Sequence, residues 1–152
     1  MKKILWLVML TFVAAVPASA QVIPKGLVDS KPEQALLLNL DQYYAKRQLP
    51  DKPGIDVDTI FTSPRSQVQL RTILKGFTAG AHYHSTADEI VIIVGGSGEL
   101  FVNGQWTAVK QGDVHVNPRG VVHDTRALNE NMRFISIYTP QLPPGGDANM
   151  VK

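Results

Sequence analysis

The chain has 152 residues, no cysteine and a formal charge of +2, which excludes a multi-domain machine, a disulfide-stapled miniprotein and a strongly basic nucleic-acid binder. Hydrophobic residues at 44% and charged residues at 18% place it among ordinary globular proteins with enough apolar material for a core. Thiolate metal sites and thiol nucleophiles are excluded with the cysteines.

Met1-Lys2-Lys3 is followed by an uncharged apolar run of 13 residues from Ile4 to Val16, then by Pro17 and Ala18-Ser19-Ala20. A charged start, an apolar stretch and an A-x-A site predict a cleavable secretory signal over residues 1–20, with the mature protein starting at Gln21 in the periplasm or outside the cell. The run is too short to cross a bilayer as a helix, which takes roughly 20 residues, so no membrane anchor is expected after cleavage. Lys2 and Lys3 leave with the signal, and the remaining 13 basic residues equal the 13 acidic ones. A neutral mature chain gives no electrostatic case for nucleic acid or anionic lipid.

Residues 21–54 read as an extended lead-in followed by one helix. Ser30-Lys31-Pro32-Glu33 has the spacing of a capping box with proline in the first turn. Leu36, Leu37, Leu40, Tyr43 and Tyr44 follow at three-to-four spacing, which predicts an amphipathic helix over 32–47 that ends near Pro50 and covers whatever comes next.

From Ile55 the pattern turns to short runs of Val, Ile, Thr and Phe, punctuated by Gly, Pro and Asn. Strands are predicted at 56–62, 68–75, 81–84, 89–94, 99–102, 105–109, 114–117 and 133–138. Phe101-Val102-Asn103-Gly104-Gln105-Trp106 predicts a type I′ hairpin. Many short strands behind one helix indicate an all-β sandwich or barrel over 55–140. The remainder, 141–152, is rich in Pro and Gly and reads as a flexible tail.

All four histidines lie between positions 82 and 123, two of them in His82-Tyr83-His84. Residues i and i+2 of a strand project to one face, about 7 Å apart at their Cα atoms, which suits two ligands of one metal. Glu89 is five residues after His84; in an unbroken strand that odd offset would send it to the other face. A turn at the short, polar Ser85-Thr86-Ala87-Asp88 would return it to the same side. Imidazoles with a carboxylate suit Fe, Mn, Zn, Ni or Cu. Half-exposed strand histidines and a solvated glutamate would use the same residues without any metal.

The glycine and proline spacing adds to this. Gly76, His82, His84, Glu89 and Gly96 stand at the intervals G-x5-H-x-H-x4-E-x6-G, and Gly112, Pro118, Gly120 and His123 at G-x5-P-x-G-x2-H. The two motifs, joined by the 15 residues Ser97–Gln111, resemble those of the cupin family. One position departs: the asparagine that usually follows the second motif is Ala127. The resemblance implies a small jelly-roll β-barrel holding one divalent ion on His82, His84, Glu89 and His123, with open coordination positions that would mark a catalytic site.

Three further residues are candidate catalytic groups. His115 shares a strand face with Asp113 and Asn117, and either lines the cavity as an acid or base or sits on a polar outer face. Arg71 and Tyr138, early and late in the barrel, are placed to bind a substrate anion or to donate a proton, unless they serve the surface or the core. Tyr83 and Trp106 are expected to pack, and Asp88 and Glu99 to be solvated. The resemblance implies either a dioxygenase or a carbohydrate isomerase or lyase acting on a small molecule; a non-catalytic, metal-organised binding protein is the alternative. Oligomeric state is left open, with a homodimer through barrel edges as one option.

Overall fold

The computed structural model describes residues 35–151. The signal, the lead-in and the Ser30–Glu33 capping box lie outside the described residues. None of the described helices is long and apolar enough to cross a membrane.

The helix is shorter than its periodicity predicts: α1 spans only Leu40–Lys46. Asn39 is extended, and its side chain accepts the Gln42 N–H at 3.0 Å. A capping asparagine thus starts the helix there. The leucines before it are left outside, Leu37 being 87% exposed. Seven residues do not make a stable helix alone, and polar clips hold this one to the barrel. Tyr43 donates to Asp58 at 2.8 Å, and Arg47 takes Asp56 in a two-pronged pair at 2.8 and 2.9 Å.

Eleven strands follow among the described residues: β1 Ile55–Ser63, β2 Ser66–Ile73, β3 Phe77–Thr78, β4 His82–His84, β5 Asp88–Gly95, β6 Ser97–Val102, β7 Gln105–Lys110, β8 Val114–Asn117, β9 Asp124–Ala127, β10 Met132–Thr139 and β11 Ala148–Met150. All pairings are antiparallel. One sheet runs β1-β2-β10-β5-β8, a second β3-β9-β6-β7, and β4 pairs with β11. The Asn-Gly hairpin forms as predicted, with Asn103 at φ 51° and Gly104 at φ 85° between the paired Val102 and Gln105. Sequence reasoning missed β3 and β9, which are too short and too polar to alternate visibly. It also missed β11: the tail expected to be flexible is paired along β4.

Alternation along the five-stranded sheet divides the barrel interior in two. Ile73, Val91, Ile93, Met132 and Phe134 form an apolar floor. Farther along the same strands and faces, Gln69, Glu89, Ser136 and Tyr138 are buried and all but the last are plainly polar. Gly96, which closes the first motif, sits where β5 turns into β6. Its φ is +71°, and a Cβ there would lie 2.1 Å from the Asn131 carbonyl oxygen. Gly96→Ala therefore combines a left-handed backbone with a main-chain clash, and it should cost at least about 2 kcal/mol. The shift in urea midpoint measures this; an unchanged midpoint would mean that the entry to β10 yields freely.

Candidate metal centre

Strand β4 carries His82 and His84, and a β-bridge joins His82 to His123 through N–H···O bonds of 2.9 and 2.8 Å. The turn at Ser85–Ala87 resets the parity, so Glu89 enters β5 on the inward face it shares with Val91 and Ile93. The three imidazoles then offer nitrogen atoms all within 4.8 Å of one another. His84 and His123 are buried, whereas His82 is half-buried.

Each ring is oriented by a main-chain carbonyl. Nδ1 of His82 lies 2.7 Å from the Gly80 oxygen, Nδ1 of His84 3.1 Å from that of Asp147, and Nδ1 of His123 2.9 Å from that of Val121. A carbonyl can only accept, so each Nδ1 bears the proton and each Nε2 of a neutral ring presents a bare lone pair. Nε2 of both His84 and His123 is buried without a hydrogen-bond partner. These lone pairs also face an anion: Glu89 Oε2 is 3.3 Å from His123 Nε2 and 3.8 Å from His84 Nε2. Lone pairs and a carboxylate at this separation need positive charge between them, supplied either by protons or by a cation. Burial works against protonation, holding His82 and His84 below their ordinary value of 6.5. The residues therefore fit a divalent cation of the kind that nitrogen and oxygen donors bind, and carbonyl-oriented imidazoles are the usual support of such a centre.

Glu89, 2% exposed, is held by donors on every side. Ser136 Oγ and Tyr138 Oη donate to Oε1 at 2.8 Å each, Asn117 Nδ2 donates to Oε2 at 3.0 Å, and the Arg71 guanidinium is 3.6 Å away. Burial alone would raise this carboxyl; positive charge on the side of the His123 ring, the Arg71 charge and the Tyr138 hydroxyl outweigh it and hold the group well below the carboxylate range. Tyr138 is driven the other way, by its own burial and by the Glu89 charge. It stays a neutral phenol whose oxygen accepts from Arg71 at 2.8 Å while its proton points at Glu89.

A cavity of about 380 Å³ opens on His82 and His84, with Arg71 and Tyr138 on one wall and the segment from Leu142 to Asn149 on the other. Arg71 and Tyr138 thus stand at the site. His115 does not border this cavity. It lines a separate one with Leu100 and Thr107 and reaches Glu89 only through Asn117, whose Oδ1 it hydrogen-bonds. Asn117 and Ser136 were missed from the sequence; their signal was a polar residue at inward parity on strands β8 and β10. Glu99 and Asp88, expected to be solvated, are partly exposed and also find partners. Glu99 is ion-paired to Arg126, which also stacks 3.9 Å above the Trp106 ring, and Asp88 accepts the Arg119 N–H at 2.8 Å. Trp106 packs across the hairpin on Phe101, ring centroids 5.4 Å apart.

Residues 69–138 match the family model described as "Cupin domain". An uncharacterized protein of Aquifex aeolicus (strain VF5) is 34% identical over 59 residues, a match covering 39% of this chain and 49% of that protein. The match thus spans about half the length of that relative. Among solved structures, KdgF from Halomonas sp. superposes with a TM-score of 0.56 at 24% identity, over 60% of this chain and 85% of that one. An uncharacterized conserved protein with a double-stranded β-helix domain from Klebsiella pneumoniae superposes with a TM-score of 0.63 at 22% identity, over 78% of this chain and the whole of the other. At these identities the structures speak for the fold alone. Both motifs, the family match and the jelly-roll architecture agree: residues 69–138 are a cupin domain.

Proposed function

We propose that this protein is a metal-dependent enzyme for a small molecule bearing a carboxylate or similar anionic group, with His82, His84, His123 and Glu89 as metal ligands. The observation that carries this reading is the convergence of bare imidazole lone pairs and a buried, ionised carboxylate beside a cavity lined by His82, His84 and an arginine. A bound divalent ion would supply Lewis acidity, or an oxygen site in the case of iron.

The chain's own groups do the rest. Arg71 carries a charge only partly met by Glu89, and its buried Nε has no partner; an anionic substrate entering the cavity would complete it. Tyr138 keeps its proton and holds Glu89 in place. Gly145, Gly146 and Asp147 line the same cavity.

A metal-loaded sample tested on diketones, phenolics, thiols and uronates should turn over members that carry an anionic group. Arg71→Ala should then raise KM by about 10- to 100-fold, the loss of one charged hydrogen bond, while the metal stays bound. Ligand binding without product or oxygen uptake across the panel would defeat the enzyme reading in favour of a metal-organised binding protein.

A further inference from the structure

The three imidazoles are not oriented alike. His82 and His123 each use the carbonyl two residues earlier in their own segment, Gly80 and Val121. His84 uses Asp147, 63 residues away. That carbonyl also accepts from Asn149 Nδ2 at 3.1 Å, and Asp147 itself is anchored through its side chain. Its carboxylate accepts from Ser85 Oγ, Thr86 N and Thr86 Oγ1, each at 2.7 Å, and so grips the turn that follows His84. Beyond it, β11 pairs Ala148 with His84, Asn149 with Tyr83 and Met150 with His82, and the Val151 N–H reaches the Ala81 oxygen at 2.9 Å. Gly145 and Gly146, both left-handed, turn the chain into this position.

We propose that Asp147 is a positioning residue for His84, so that docking of the C-terminal strand on β4 completes the metal site. The inference rests on the metal-centre reading above. A ligand whose Nδ1–H is fixed by a carbonyl keeps one ring orientation and one tautomer, and losing such a partner weakens metal binding by about 10- to 100-fold. Local carbonyls set two rings as soon as their segments form. The third is set only when the segment around Asp147 docks on β4, and this segment also walls the cavity. The clamp is direct: the carboxylate holds the turn after His84 while the carbonyl holds the ring.

The test uses the full chain loaded with Co(II) for affinity and ligand-field spectrum, and with Zn(II) for NMR of the histidine Nδ1–H protons. Asp147→Ala should weaken Co(II) binding about 10-fold or more, shift the visible spectrum, and broaden or move the His84 Nδ1–H signal while those of His82 and His123 stay in place. The paired change Ser85→Ala with Thr86→Val, which leaves Asp147 untouched, should reproduce the same signature. Asp147→Asn, which can still accept from the Thr86 N–H, should recover part of the loss and keeps the test readable if the alanine variant folds poorly. Wild-type affinity and spectrum in Asp147→Ala, or equal disturbance of all three histidine signals, would overturn the positioning role. A wild-type protein that takes up no Co(II) would instead overturn the metal-centre reading, and this inference with it.

Discussion

Replacing His123 with alanine should reduce the metal content of the purified protein from about one divalent ion per chain to less than about a tenth, measured by elemental analysis, because structural and catalytic sites of this kind depend on each imidazole. His123 is the ring that closes the set: its main chain bridges His82, its ring centroid is 4.4 Å from that of His82, and its bare Nε2 faces Glu89 at 3.3 Å. His82→Ala should give the same loss from the side that faces the cavity. The stability readout is equally large. Saturating the wild type at a thousandfold excess over Kd adds about 4 kcal/mol, which for a domain of this size raises Tm by more than about 10 °C. Neither variant should show that rise. Normal metal content in both would dismantle the site.

Glu89→Ala should be the most damaging substitution in the metal-free protein, at about 3–5 kcal/mol, the cost of stripping one partner from a buried charged pair. It leaves the Tyr138 hydroxyl, the Ser136 hydroxyl, one Asn117 N–H and the Arg71 charge facing an empty space. Denaturant unfolding of chelator-treated protein measures the loss directly.

The same variant separates two acid-sensitive contributions. The folded-state values of His82 and His84 lie below their ordinary 6.5, chiefly through burial. Below pH 6.5 the unfolded chain therefore binds protons that the folded chain refuses, and stability is complete above that pH and falls as pH drops beneath it. Glu89 is held below its ordinary 4.5, so its contribution is complete above pH 4.5 and is lost on further acidification. Metal-free wild type should weaken in both windows. Glu89→Ala should keep the upper step, deepened because the Glu89 charge raises both histidines, and should lose the lower one. A metal-free wild type with flat stability from pH 7 to pH 5 would contradict the neutral, carbonyl-oriented imidazoles.

Local patterns were legible where the physics is local. The Asn-Gly turn forms because both residues accept positive φ, and the spacing of His82, His84 and His123 anticipates three rings that the fold brings within 4.8 Å. The helix was read too long because periodicity counts Leu36 and Leu37 as an apolar face, whereas the Asn39 side chain competes for the backbone and starts the helix later. Strand β9, Asp-Thr-Arg-Ala, has no alternation to detect; its pairing with β3 and β6 supplies the structure.

By itself, then, the sequence determined the β-rich domain, the ligand chemistry and the positions where glycine must bend the chain, since these follow from residue type and short spacings. The absence of cysteine had already confined any metal to nitrogen and oxygen donors. Only the tertiary structure decided which polar residues surround Glu89, that His115 stands one asparagine away from it, and that the Pro- and Gly-rich tail ends in a paired strand preceded by Asp147, whose carbonyl meets the His84 ring. Each of those facts joins residues distant in the chain, up to 63 positions apart, or rests on which face of a strand turns inward. Contacts at that range are set by sheet register and burial, which no short window of sequence contains.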